Sequence, residues 1–318
     1  MTASATTRRP LGRTGLAVTP ICIGTSPFST TPGLYGYGVA HERAEATVAA
    51  VLDGPINFID TSNSYGDGNA EERIGSVLRT RGGLPEGVVL ATKADADKVT
   101  GDFSGERVRR SVRESLERLG LDRVQLMYLH DPEYHLTFEE AMAEGGPVSA
   151  LIALCDEGVI EHLGIAAGPV PLMRRFVATG VFDVALNHNR YTLLDRSADP
   201  LLDDCVAAGV GYVNAAPYGG GMLAKGPDAQ PRYAYRETPE SVREAVRGMQ
   251  RVCAEADVPL QAAALQFSMR DVRVASTVVG VSEPARIAET VRLAQLPIPE
   301  QVWGQLDALA AKAGVRLD

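Results

Sequence analysis

Four side chains in this sequence could share one piece of proton chemistry: Asp60, Tyr65, Lys93 and His130. A phenol, with a reference pKa of about 10, is a poor acid or base at neutral pH. A neighbouring ammonium favours its phenolate, and a carboxylate can orient that ammonium and hold its charge. A histidine beside the phenol can donate a hydrogen bond to a carbonyl oxygen or relay a proton. Together the four suit a reaction that moves one proton on oxygen while a hydride moves on carbon. Taken singly, each has a plainer reading: Asp60 as a turn or cap residue, Tyr65 as a loop aromatic, Lys93 as a solvated strand-end charge, His130 as a satisfied core imidazole. Their common placement favours the chemistry, because each lies at or just past the end of a run that reads as a strand.

Those runs are short and continuously apolar, as expected of parallel strands buried on both faces. They fall at 18–24, 57–60, 88–92, 124–130, 162–166, 183–187, 211–215 and 276–279. Amphipathic stretches separate them. The clearest, 106–119, puts Val108, Val112, Leu116 and Leu119 on one face and Arg109, Arg110, Arg113, Glu114 and Glu117 on the other. Ser104 is its expected N-cap and Gly120 its expected stop. Eight strands alternating with helices imply an α/β fold, a closed (β/α)8 TIM barrel, whose catalytic groups emerge at the carboxyl ends of the strands. The rival, an open doubly wound sheet, would bring G-x-G-x-x-G after an early strand, and none occurs. The glycine-rich stretch 33–38 has no strand before it and reads as a loop. The opening 9–18 reads as a β-hairpin turning at residues 13–15 and closing the barrel floor. Segment 217–239, rich in glycine, proline and tyrosine, reads as a long irregular loop over the catalytic face.

The 318 residues, 45% of them hydrophobic, suit one barrel domain over 1–318. A net charge of −9 argues against nucleic acid and anionic membranes as partners. Arg8 and Arg9 precede no apolar run, so the start reads as a short lead, and no stretch is long and apolar enough to span a bilayer. Cys22, Cys155, Cys205 and Cys253 are widely spaced and read as core residues of a cytoplasmic protein. Five histidines, with no pair on one strand, argue against a metal site, and no G-x-S-x-G elbow supports a serine nucleophile.

The run Asn57-Phe58-Ile59-Asp60-Thr61-Ser62-Asn63-Ser64-Tyr65-Gly66, followed by Ala70-Glu71-Glu72-Arg73-Ile74-Gly75, resembles the hallmark of the aldo-keto reductase superfamily. The resemblance implies that Asp60, Tyr65, Lys93 and His130 are catalytic, and it extends from the opening hairpin to the helix after Gly280. It also implies an extended nicotinamide cofactor gripped by late loops. Gly24 and Thr25 follow the first strand at the mouth. Asn187, with His188 as the alternative, stands near the residue that holds the carboxamide. Ala216, Pro217, Tyr218, Gly219 and Gly221 match the pyrophosphate loop, where glycines let backbone N–H groups approach phosphate. Gly280, Ser282, Arg286 and Thr290 match the adenosine segment. NADP-preferring members often carry Lys where Gly280 sits and Asn where Thr290 sits. The missing cation and the carboxylate of Glu283 therefore lean the choice between NAD and NADP towards NAD. Two departures are Ala166-Ala167, where the family commonly has Ser-Asn, and Ala215, where an aromatic often stacks on nicotinamide.

Within that superfamily the runs 187–196 and 214–225 are similar to the branch of L-fucose, D-threo-aldose, L-galactose and pyridoxal dehydrogenases. The implied activity is interconversion of a carbonyl and an alcohol on a small sugar or aldehyde, with Tyr65 as general acid or base. A regulatory nicotinamide-binding subunit without significant turnover is the alternative, and the intact quartet argues against it. Phe28, Tyr35, Tyr37 and Tyr233 are candidates either to line the substrate pocket or to anchor loops. The surface pattern leaves the oligomeric state open.

Overall fold

The computed structural model of the chain describes residues 5–29 and 38–318. Eight parallel strands close into a barrel: β1 (Ile21–Gly24), β2 (Phe58–Asp60), β3 (Val89–Ala94), β4 (Val124–His130), β5 (Ile160–Ala167), β6 (Val184–His188), β7 (Gly211–Ala215) and β8 (Val274–Gly280). β8 pairs with β1, Thr277 against Ile21 and Gly280 against Gly24, which closes the ring. Every apolar run read as a strand is one. The largest shift is in the first, which begins at Ile21 because residues 17 and 18 belong to the preceding hairpin.

That hairpin pairs Arg9–Pro10 with Ala17–Val18 through a turn at Gly12–Thr14. Leu11 and Val18 are fully buried with Cys22, Phe58, Val89, Leu126, Val184 and Val213, so the hairpin plugs one end of the barrel interior. At Gly12, with φ +56, an added Cβ would lie 2.2 Å from the Gly211 amide, so only glycine allows backbone to press on backbone there. The Arg9 guanidinium donates to the carbonyls of Val274 and Met269 at 2.9 Å each, fastening the hairpin to β8 and the helix before it.

Apolar filling at the floor leaves polar side chains for the other end. Along β3, Val89 and Ala91 belong to the interior cluster, and the period of two brings Lys93 inward above them, with Asp95 buried one step further, just past the strand. β4 repeats the sequence with Leu126, Tyr128 and His130. β2 does so with Phe58 and Asp60.

The first helices outside the barrel are α1 (His41–Leu52), α2 (Asn69–Thr80) and α3 (Gly105–Leu119). Ser104 caps α3 by accepting the Arg107 amide, and Gly120 ends it at φ +69. Val108, Val112 and Leu119 are buried as expected, and Leu116 is partly so. The same face also buries Arg107, Ser111 and Ser115, a polar strip invisible to hydrophobic periodicity. Gly75 permits α2 to approach α3, since a Cβ there would lie 1.9 Å from the Arg118 carbonyl oxygen.

Segment 217–239 is less irregular than its composition implies. It contains a short helix, Met222–Lys225, and a small hairpin pairing Arg232–Tyr233 with Arg236–Glu237. The glycine-rich stretch 33–37, with Tyr35 and Tyr37, lies outside the described residues. Among those described, no helix is long and apolar enough to cross a membrane.

Candidate active site

The quartet is assembled at the carboxyl ends of β2, β3 and β4. Lys93 Nζ donates to Asp60 Oδ1 at 2.6 Å and to the Thr61 carbonyl at 2.5 Å, and it lies 3.2 Å from Tyr65 Oη. Its ammonium is also 4.7 Å from the centre of the Tyr65 ring. The pair is sealed, with the Lys93 and Asp60 side chains 1% and 4% exposed. Burial lifts the Asp60 carboxyl above the ordinary range, with the Lys93 ammonium pulling the other way. Lys93 therefore puts its charge where a Tyr65 phenolate would carry its own.

His130 stands edge-on to the Tyr65 ring, centres 6.0 Å apart. Its Nδ1 is 2.6 Å from Asp95 Oδ1, so a proton on Nδ1 is donated to that carboxylate and Nε2 is turned to the cavity. Asp95 Oδ2 accepts from Ser62 Oγ at 2.7 Å and from the Ser64 amide at 3.0 Å, so one carboxylate ties β4 to the Tyr65 loop. Burial alone would lower the His130 pKa, but the charges of Asp131 and Asp95 outweigh it and raise it above the usual imidazole value. Burial would likewise raise Asp95, yet His130 and Ser62 hold it below the ordinary range.

α3 supports this arrangement with its polar strip. Asn63 Nδ2 donates to the Ser111 carbonyl at 3.1 Å, Ser111 Oγ accepts the Asp95 amide at 3.1 Å, and Arg107 Nε donates to the Asp95 carbonyl at 3.2 Å. Behind Thr92, the buried Glu71 accepts the threonine hydroxyl at 2.6 Å and the Arg118 guanidinium at 3.2 Å. The loop that carries Tyr65 is thus held from both sides.

The quartet lines one end of a cavity of about 520 Å³ that runs across the barrel mouth. Of the other expected contacts, Gly24, Ala216, Pro217, Tyr218, Gly221, Gly280 and Arg286 line it as well. Thr25 does not, because its hydroxyl turns back to the Asp60 carbonyl at 3.0 Å. Gly219 packs against the Tyr233 ring, Thr290 donates to the Arg286 carbonyl at 2.7 Å, and Ser282 is half-buried outside the lining. Asn187 is fully buried and faces outward, its amide donating to the carbonyls of Ala167 and Gly168 at 2.9 and 2.8 Å. The alternative, His188, is the one that faces the cavity, followed by Asn189. Phe28 and Tyr233 anchor loops from within the core, and the aromatic that reaches the cavity from the 217–239 segment, besides Tyr218, is Tyr235.

Three residues at the site escaped the sequence reading. Asp95 was detectable as the next inward position after Lys93. Asp131 directly follows His130 and lines the cavity, and its carboxylate lies between His130 Nε2 at 3.7 Å and His188 Nε2 at 3.6 Å. Asn189 takes a left-handed backbone, φ +64, which no local pattern announced.

At the mouth of this parallel barrel a buried Lys–Asp pair thus meets a tyrosine and a carboxylate-held histidine. The comparisons give the family. Residues 20–311 match the model of the Aldo/keto reductase family, and this chain belongs to that family. D-threo-aldose 1-dehydrogenase of a Pseudomonas species is 33% identical over 89% of this chain and 96% of its own length. L-galactose dehydrogenase of Arabidopsis thaliana is 32% identical over 95% and 93%. Pyridoxal 4-dehydrogenase of Microbacterium luteolum is 30% identical over 96% and 98%. Among solved structures, an aldo-keto reductase from Bacillus halodurans shares the fold with a TM-score of 0.76 at 22% identity, covering 96% of both chains. The protein is an oxidoreductase, and enzymes of this family work with a nicotinamide cofactor.

Proposed function

We propose that this enzyme is an aldose 1-dehydrogenase that oxidises the anomeric carbon of a neutral sugar and uses NAD in preference to NADP. The observation that carries the reading is the contact of one buried ammonium, Lys93, with both Asp60 and Tyr65 Oη at the cavity wall. The names of the relatives above supply the substrate class.

The described residues fit a dinucleotide. Lys225 and Arg286 bring positive charge to the cavity that Gly220 and Gly221 also line. Gly219, Gly220 and Gly221 all have positive φ, at +54, +71 and +103, which keeps side chains off a loop that must approach phosphates. Nearer the quartet, Asn189 lines the cavity and its buried Oδ1 has no hydrogen-bond partner, an acceptor suited to a carboxamide N–H. Arg286 Nε is 3.4 Å from Glu283 Oε1, so the cation best placed for a 2′-phosphate is already half neutralised, which favours NAD.

The bound nicotinamide supplies a two-electron hydride acceptor. In oxidation the Tyr65 phenolate takes the hydroxyl proton as the C–H hydrogen leaves with its electron pair, and the C–O single bond becomes a carbonyl. Lys93 stabilises the phenolate beforehand, and Asp60 holds Lys93 in place. In its charged form His130 donates from Nε2 to the substrate oxygen while its Nδ1 proton stays on Asp95. Reduction of an aldehyde runs the same path in reverse. The free thiols of Cys22, Cys155, Cys205 and Cys253 agree with work in the cytoplasm.

Titration with NADH and NADPH, followed by nicotinamide fluorescence, and then assay of neutral aldoses with NAD, tests this reading. Tighter NADH binding and aldose oxidation are expected. Tighter NADPH binding would overturn the Glu283 argument, and failure to bind either would remove the dehydrogenase.

A further inference from the structure

The substrate end of the cavity holds a charged group that proton transfer does not use. Asp131 follows His130 directly, and its backbone is left-handed, φ +45 and ψ +47, a conformation costly for most residues and tolerated by aspartate. It is fixed there by Pro132 and by its own amide, which donates to the Ala166 carbonyl at 2.8 Å. The turn directs the carboxylate back over the barrel mouth, where it lines the cavity beside His130 and His188. Its Oδ1 is buried and makes no hydrogen bond, its neighbour being His188 Nε2 at 3.6 Å. Burial alone would raise the carboxyl, but the His130 and His188 imidazoles outweigh it and hold it down at about 2.

An ionised carboxylate only accepts hydrogen bonds. The reacting oxygen must sit between Tyr65 Oη and His130 Nε2, and Asp131 Oδ2 is 3.7 Å from that same nitrogen. The group one carbon further along the substrate therefore comes up against Asp131. A hydroxyl there donates to the carboxylate. A hydrogen atom there offers Asp131 Oδ1 no donor, and a carboxylate or phosphate there is repelled.

We propose that Asp131 determines specificity, by accepting a hydrogen bond from a hydroxyl on the carbon next to the reacting one, so that the enzyme selects neutral 2-hydroxy sugars over 2-deoxy sugars and over anionic ones. The proposal rests on the aldose reading above. It divides the cavity by charge: Lys225 and Arg286 serve the anionic cofactor, and Asp131 with the histidines serves a neutral polyol.

The test is a cycle of two substrates against two enzymes. kcat/KM is measured with NAD for a neutral aldose and its 2-deoxy counterpart, in the wild type and in Asp131→Asn. A charge-assisted hydrogen bond predicts that the wild type prefers the 2-hydroxy sugar by about 10- to 100-fold, mainly through KM, and that the variant reduces the preference to a few-fold. Any effect of the substitution on His130 falls on both sugars and cancels in the ratio. If Asp131→Asn does not fold, Asp131→Ser and the wild type's rejection of a uronic acid carry the test. The same preference in both enzymes overturns the assignment of Asp131. Loss of aldose oxidation from the metal-stripped wild type, restored by a divalent cation, would also overturn it, by making Asp131, Glu133 and His188 a metal site. A wild type that reduces simple aldehydes but oxidises no aldose would instead refute the reading on which the proposal rests.

Discussion

Replacing Lys93 with methionine separates two roles that the structure gives to one ammonium. Lys93 is 1% exposed and its partner Asp60 4% exposed, and Asp60 Oδ2 already lacks a partner, so the substitution leaves a carboxylate buried and uncompensated. Breaking one side of a buried pair costs about 3–5 kcal/mol. The penalty depends on pH with a definite sign. Burial already lifts the Asp60 carboxyl, and loss of Lys93 lifts it further. The folded form then holds its proton at pH values where the unfolded form, near about 3.9, has released it. The destabilisation is thus small in acid and grows as pH rises through the folded value. Asp60→Asn added to Lys93→Met removes the stranded charge and recovers most of the stability, while turnover stays down by about 10²- to 10⁴-fold because the phenol has lost its ammonium. Urea unfolding at pH 5 and pH 8 and steady-state kinetics on both variants read this out. A single variant as stable as the wild type at pH 8, or a double variant no more stable than the single, refutes the buried-pair argument.

Two further perturbations probe the supports. Asp95→Asn removes a charge that raises the His130 pKa while keeping an acceptor oxygen, so the histidine limb of the aldehyde-reduction pH profile moves to lower pH and kcat falls by about 10- to 100-fold. An unmoved limb would show that Asp95 does not face the titrating group. Glu283→Gln frees Arg286 on a half-exposed helix end, where one charge pair is worth roughly 0.5–1 kcal/mol. NADP binding is expected to tighten a few-fold relative to NAD in fluorescence titrations, and an unchanged ratio would remove Glu283 from cofactor selection.

The barrel was legible because buried parallel strands are written as apolar runs, and the quartet because ionisable residues at the ends of such runs are conspicuous. The same property hid the direction of Asn187. In β6, buried on both faces, Val184, Ala185 and Leu186 are all apolar, so nothing in the residue types says which face is inward. Only the packing of Val184 and Leu186 in the interior cluster shows that His188 shares their face and Asn187 does not. Asp131 was hidden for a different reason. Its role depends on a single left-handed residue, and Asp-Pro after a strand signals a turn without saying where the carboxylate points. Asp95, by contrast, needed only the period of two to be carried one step past Lys93.

Replacement of Tyr65 by phenylalanine tests the central claim most directly. The phenyl ring keeps the packing and removes the one oxygen that the account assigns to proton exchange. Measured with a saturating nicotinamide cofactor and an aldose or aldehyde turned over by the wild type, the variant is expected to bind cofactor with unchanged fluorescence and to lose at least about 10²-fold in kcat. A Tyr65→Phe enzyme that turns over at the wild-type rate would contradict the account.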